Sequence, residues 1–197
     1  ISWILAINST YPIAMYFSIR RVFEIFFSFI LLVALSPLFF LIGFAIKIDS
    51  KGPVFFTQGR LGKNGEIFTI FKFRTMIENA ESKGTGLYNY EDDFRVTRVG
   101  KFLRVASLDE FPQLFNILLG NMSFVGPRPP VSYELGRFED LNEEYKKRFT
   151  VLPGVTGLAQ VSGRNELSWD EKVKFDNKYI EEVRKWKILA DAKIIFL

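Results

Sequence analysis

The chain has 197 residues, 48% of them hydrophobic with 22 phenylalanines, which suits one ordinary domain with a sizeable core and excludes a disordered chain. It holds no cysteine and no histidine, so disulfides, thiolate zinc sites, a cysteine nucleophile and the Ser-His-Asp triad are all excluded. A net charge of +4 suits anionic partners such as phosphates, nucleic acid or an anionic membrane, and any catalysis must draw on Asp, Glu, Lys, Arg, Tyr, Ser or a hard metal ion.

The chain opens on Ile1 and stops in the apolar run KIIFL, so it reads as a fragment at both ends. Residues 1–19 read as an N-terminal extension or upstream segment, with Met15 as a candidate native start. From Ile25 to Ile46 no residue is charged, a length able to span a bilayer. Pro37 removes an internal hydrogen bond in the middle of that run and predicts a kink, where the Ser36 hydroxyl can serve a freed backbone group. Arg20 and Arg21 precede the run and Lys47 and Lys51 follow it. Positive charge marks the cytoplasmic side, so basic flanks at both ends favour a helix over 20–47 that enters and leaves on one face. A simple span and a buried core helix are the alternatives.

In GPVFFTQGRLGKNGEIFTIFKFRTM, two β-rich runs flank Lys63-Asn64-Gly65, and Asn-Gly predicts a hairpin turn. Phe68, Ile70, Lys72 and Arg74 then share one face of the second strand. Lys72 is either an edge charge that discourages aggregation or a cation held beside a phosphate. Residues 75–93 read as helix and then loop, broken at Gly84 and Gly86, and Glu91-Asp92-Asp93 reads as an exposed acidic loop rather than a metal cluster. Arg95, Arg98, Lys101 and Arg104 recur at every third position, interleaved with Phe94, Phe102 and Leu103. On a helix this makes a basic stripe, either a solvated face or a segment lying against lipid headgroups, and Gly100 weakens the helix.

Residues 106–116 read ASLDEFPQLFN. The plain reading is a helix start: Ser107 and Glu110 have capping-box spacing, the acids favour the first turn, and Pro112 is tolerated only there. Asp109 and Glu110 point about 100° apart on a helix and do not face each other. The chemical reading starts from the arginines nearby in glycine- and proline-rich stretches: Arg104, Arg128 in GPRPP, and Arg164 in VSGRN. Arginine is favoured where phosphate is recognised by paired hydrogen bonds, and without His or Cys a carboxylate is the most plausible nucleophile. A carboxylate beside phosphates calls for a divalent cation, for which magnesium is expected, with one acid attacking and the other holding the metal. Farther on, QLFNILLGNMSF predicts a short helix ending near Gly120, and Ser168 with Glu171 predicts a capped helix to about Arg184. The expected fold is α+β, helix-rich with a small β-hairpin and a re-entrant membrane helix broken at Ser36-Pro37.

From about Arg20 to Leu197, the chain resembles the bacterial sugar transferases, specifically the small monotopic phosphoglycosyl transferases. The likeness rests on the Ser36-Pro37 segment, GPVFFTQGRLGKNG, FTIFKFRTM, RVTRVGKFLR, SLDEFPQLFNILLGNMSFVGPRPP and PGVTGLAQVSGRNELSW, in family order. The upstream MYFSIRR adds to it and favours Met15 as the start. The resemblance implies transfer of a sugar-1-phosphate from a UDP-sugar to polyprenyl phosphate, with UMP released and a phospho-aspartyl intermediate on Asp109. It makes Glu110 chiefly the Mg²⁺ ligand and assigns Lys72, Arg104, Arg128 and Arg164 to phosphate or nucleotide contacts. It also implies a catalytic domain over 48–197 on the cytoplasmic face of a bacterial inner membrane, in contact with its lipid. No nucleic acid is expected as partner, and a homodimer is compatible with it.

Overall fold

Pro37 has no N–H to offer the Val33 carbonyl, and the chain bends where that bond is missing. The computed structural model describes residues 2–83, 86, 93–163 and 166–197. In it, α1 (Ser2–Ala34) ends at Leu35, and α2 (Ser36–Asp49) departs at an angle of 60°. The Ser36 hydroxyl donates to the orphaned Val33 carbonyl at 2.8 Å, as expected of a hydroxyl beside a helix-breaking proline. Among the described residues no single helix is long and apolar enough to cross a membrane, whereas this bent pair meets that test together. The pair is two-faced. Leu32, Leu35, Ile42 and Ile46 pack inward on the rest of the fold, while Phe23, Phe26, Phe40, Leu41 and Phe44 are exposed.

The predicted hairpin forms between β1 (Phe55–Leu61) and β2 (Ile67–Phe73), with Phe55 opposite Phe73 and Leu61 opposite Ile67. Asn64 (φ 56°) and Gly65 (φ 83°) adopt the left-handed backbone that Asn and Gly tolerate best. Both faces of β2 are covered. Ile70 packs on Leu114 and Ile117 of α4 (Gln113–Leu119), and Phe73 packs on Ile42, Ile46 and Leu103 of α3 (Arg98–Val105). Gly120 ends α4 in the left-handed conformation (φ 98°), as its sequence predicts.

The helix expected just after position 75 does not form in the described residues. Only a 3-10 turn at Ala80–Ser82 is present. The reason is competition for backbone groups: Met76 bridges Val96, the Ile77 N–H donates to the Arg95 carbonyl, and the Thr75 carbonyl accepts from Thr97 N–H. The basic stripe is broken for a related reason. Thr97 caps α3 by accepting from Gly100 N–H, so the helix begins at Arg98 and Arg95 lies outside it. Arg95 is fully buried and ion-paired to Asp93 at 2.6 Å, so Asp93 is not part of an exposed acidic loop. Glu91 and Asp92 lie outside the described residues. Arg98, Lys101 and Arg104 do share α3.

A second sheet was not foreseen. β3 (Ser123–Val125), just ahead of GPRPP, pairs in parallel with β4 (Gly154–Thr156). A Cβ at Gly126 or Gly154 would overlap backbone of the facing segment, so glycine is what lets the two segments touch. Around this pair stand α5 (Glu143–Lys147), α6 (Leu158–Ser162), α7 (Trp169–Trp186) and α8 (Ile188–Ile195). The predicted capping box of Ser168 and Glu171 opens α7. Val125, Leu158, Ile180, Val183 and Ile194 form the core here, and Tyr16 and Phe17 of α1 pack against it.

Candidate active site

Three residues, Ala106, Ser107 and Leu108, separate α3 from the acidic pair. To reverse direction in so short a link, Ser107 takes the left-handed conformation (φ 55°). In that conformation its hydroxyl makes no cap, so the expected capping box of Ser107 and Glu110 is absent. Leu108–Glu110 instead form a single 3-10 turn, and α4 starts only at Gln113, behind Pro112. A non-glycine residue in this region costs about 1–3 kcal/mol and persists only where the surroundings enforce it, and such residues cluster at working sites.

The strand β2 brings Lys72 against this turn. Its ammonium lies 2.7 Å from Glu110 Oε1, and an Arg128 guanidinium nitrogen reaches the same oxygen at 2.9 Å. Arg104, at the end of α3, donates from Nε to Thr75 Oγ1 at 2.9 Å and acts electrostatically on Asp109. Four of the basic and acidic residues singled out in the sequence therefore converge with Asp109: Glu110, Lys72, Arg104 and Arg128. Arg164 lies outside the described residues.

The two acids sit in different fields. Burial lifts the Asp109 carboxyl above its ordinary value, Lys72 and Arg104 oppose that rise, and Glu110 adds to it. Burial also works to lift Glu110, but Arg128 and Lys72 outweigh it and hold that carboxyl well below the usual carboxylate range. Lys72 is itself pushed below its ordinary value, by burial and by the Arg128 charge, against the pull of Glu110. Glu110 is thus a fixed anion committed to two cations. Asp109 is the more basic carboxylate, and among the described residues no other side chain hydrogen-bonds to it, a combination that suits a nucleophile.

Among the described residues no third acid joins this pair in a metal-binding cluster. Glu110 Oε2 has no hydrogen-bond partner among the described residues, so the turn offers two carboxylates with open coordination. That donor set fits a magnesium ion that draws its other ligands from substrate phosphates and water.

Several residues that hold the site were not legible in the sequence. Asn116 of α4 acts as a surrogate strand: its Oδ1 accepts from Phe71 N–H at 3.0 Å and its Nδ2 donates to the Thr69 carbonyl at 2.6 Å. This bolts α4 to β2 and keeps Lys72 opposite Glu110. Its one available signal is a polar residue on the buried side of an amphipathic helix. Arg20 of α1 is hydrogen-bonded to Ser123, Tyr179 and the Val125 carbonyl and ion-paired to Asp191 at 3.0 Å, joining the bent helices to β3, α7 and α8. Val125 is three residues before Arg128.

Arg148 supports Arg128 directly. It donates to the Arg128 carbonyl at 2.7 Å, pairs with Asp176 at 2.9 Å, and lies over the rings of Phe149 and Trp169. Both charged side chains of the pair are only 2% exposed. Truncating one partner of a buried pair leaves the other uncompensated, so Asp176→Ala is expected to lower unfolding free energy by about 3–5 kcal/mol. Denaturant titration of the purified protein checks this. A loss under about 1 kcal/mol would show that the pair does not support the Arg128 loop.

A family model described as bacterial sugar transferase matches residues 15–197. The chain is 44% identical over 183 residues to the undecaprenyl-phosphate glucose phosphotransferase of Komagataeibacter xylinus, covering 90% of this chain and 34% of that protein. It is 41% identical over 191 residues to the exopolysaccharide production protein ExoY of Sinorhizobium fredii, covering 90% and 82%. It is 40% identical over 192 residues to the undecaprenyl-phosphate galactose phosphotransferase of Salmonella typhimurium, covering 90% and 39%. The chain thus spans most of ExoY but little more than a third of the two phosphotransferases.

Proposed function

The chain belongs to the bacterial sugar transferase family, and on that premise we propose that it transfers a sugar-1-phosphate from a UDP-sugar to polyprenyl (undecaprenyl) phosphate, releasing UMP. The observation that carries this reading is the division within one turn: Glu110 is held by Lys72 and Arg128, and Asp109 is left without a side-chain partner beside Arg104. Relatives named as undecaprenyl-phosphate glucose and galactose phosphotransferases support the class of acceptor and of transferred group.

The reaction is two phosphoryl displacements. An Asp109 oxygen attacks the phosphorus that bears the sugar, and the bond from that phosphorus to the bridging oxygen breaks, so UMP leaves with the electron pair. Polyprenyl phosphate then attacks the phospho-aspartyl group, the phosphorus–Asp109 bond breaks, and the carboxylate is restored. In both steps negative charge gathers on non-bridging oxygens, where Lys72, Arg104 and Arg128 stand ready to offset it. Lys72 and Arg128 keep Glu110 anionic and fix its position, and its free oxygen together with Asp109 would hold the magnesium ion. Once bound, that ion supplies charge neutralisation for the diphosphate.

The bent α1–α2 pair fits a re-entrant anchor. Its outer face is apolar, its bend is internally satisfied by Ser36, and the basic residues that flank its uncharged stretch, Arg20–Arg21 and Lys47, suit a single membrane face. An enzyme anchored in this way meets a lipid-borne acceptor at the headgroup level, on the cytoplasmic side of the inner membrane. A conventional glycosyltransferase with its metal at Glu91-Asp92-Asp93 is disfavoured because Asp93 is buried and committed to Arg95.

One assay separates the readings. The protein is incubated with a panel of UDP-sugars, undecaprenyl phosphate and magnesium, and the released nucleotide is identified. UMP in step with lipid product is expected. Release of UDP would indicate conventional glycosyl transfer, and no turnover with any donor would leave the chain as an anchored binding module.

A further inference from the structure

The helices α2 and α3 converge at one end, where the Asp49 carboxylate accepts from Val99 N–H at 3.0 Å. Between them lies an open groove of about 420 Å³. Leu41 and Ala45 form one wall, Val99, Phe102 and Leu103 form the other, and Arg98 stands at the rim as the one charged lining residue. The volume is that of a small-molecule site, but the lining is almost wholly apolar.

We propose that this groove receives the phosphate-proximal isoprenoid chain of the acceptor lipid, an inference that rests on the transferase reading above. Three observations commit it to that occupant. First, α2 is the second half of the uncharged Ile25–Ile46 run, and the lining residues Leu41 and Phe102 are themselves largely exposed, so the groove opens along an apolar surface of the anchor helix. Second, the groove is continuous with the chemistry. Leu103 precedes Arg104, and Leu103 and Ile42 belong to the cluster against which Leu108, the neighbour of Asp109, is packed. Third, in a polyprenyl phosphate the hydrocarbon begins at the phosphate oxygen. A phosphate beside Arg104 and Asp109 therefore presents carbon directly at the end of α3 that carries the exposed Phe102, whereas a glycerophospholipid interposes a polar glycerol and its esters. Arg98 and Phe102 stand four positions apart on α3, about 6 Å of helix, so the groove grips only the first isoprene units and leaves the remainder in the bilayer.

Two variants test this in opposite ways. Ala45→Phe fills the groove, and Phe102→Ala removes a wall from a residue that is 66% exposed and carries little of the core. Each is measured for exchange of labelled UMP into UDP-sugar without acceptor, and for the KM of undecaprenyl phosphate in nanodiscs. Exchange within twofold of the unmodified protein is expected in both. The acceptor KM should rise at least tenfold for Ala45→Phe and about fivefold for Phe102→Ala. If both variants sustain exchange and keep the acceptor KM within twofold, the groove does not hold the acceptor. That holds even where retained phospholipid changes, which would instead assign the groove to a bilayer lipid. Absence of exchange in the unmodified protein would overturn the transferase reading itself, and the groove assignment with it.

Discussion

Asp109→Asn is expected to fold, to bind its substrates and to lose at least about 10⁴-fold in turnover, because the attacking oxygen is gone while the cations around it remain. The same variant makes a stability prediction of definite sign. Burial, the largest influence on Asp109, raises its carboxyl above the ordinary value of 3.8, so its ionised form is disfavoured in the fold. That penalty is present at neutral pH and vanishes once the pH drops below the unfolded carboxyl's range. Asn removes it, so the variant should be at least as stable as the unmodified protein at pH 7, and its advantage should shrink as the medium is acidified. Glu110 behaves in the reverse sense. Its carboxyl is held below the ordinary 4.5, so its contribution is present above that value and is lost as pH falls. Thermal unfolding followed from pH 7 to pH 2, alongside the UMP exchange assay at neutral pH, measures both. Turnover within tenfold of the unmodified protein would remove Asp109 from the nucleophile's role. A variant that is inactive and also markedly less stable at pH 7 would give the carboxylate a structural role instead.

Elements whose cause lies within a few residues were legible in the sequence. The Asn64-Gly65 turn, the glycine end of α4, the capping box of α7 and the bend at Ser36-Pro37 all formed because each signal and its partner are close neighbours along the chain. The readings that failed required knowledge of where the chain travels next. Ser107 has capping-box spacing with Glu110, but just past the end of α3 it takes the left-handed conformation and makes no cap. Arg95 keeps the spacing of the basic stripe, but the pairing of Met76 with Val96 extends the backbone there and buries it on Asp93. Ion pairs such as Arg148–Asp176 and Arg20–Asp191 link residues far apart in sequence, and nothing local marks either partner. From its residues alone the acidic pair was legible as either a helix start or chemistry, the latter supported by nearby arginines and the lack of His and Cys, and its assigned roles came with the family resemblance. That Lys72 and Arg128 meet on one oxygen of Glu110 could not be read before the fold was known.

Gly100→Ala carries the largest structural penalty expected of a single methyl group near the site. Helix propensity alone favours the change by about 0.5–1 kcal/mol, since Gly100 lies inside α3 and Ala is the better helix former. Packing opposes it. A Cβ at Gly100 would overlap the backbone of Thr75, which cannot rotate aside as a long side chain would. The Thr75 carbonyl accepts from Thr97 N–H at 3.0 Å, and its hydroxyl accepts from Arg104 Nε at 2.9 Å, so both ends of α3 are referenced to this one residue. Relief of the overlap must lift α3 away, withdrawing Leu103 from the core it shares with Phe73 and Ile46 and carrying Arg104 off Thr75 and Asp109. Overpacking of this kind costs about 1–3 kcal/mol even where side chains can adjust, so a net loss of about 2–3 kcal/mol is expected here. UMP exchange should fall further than the folded fraction explains, because Arg104 moves with the helix. A variant more stable than the unmodified protein would mean that propensity prevails and that α3 does not press on Thr75. Stability lost with exchange preserved per folded molecule would detach Arg104 from the first displacement.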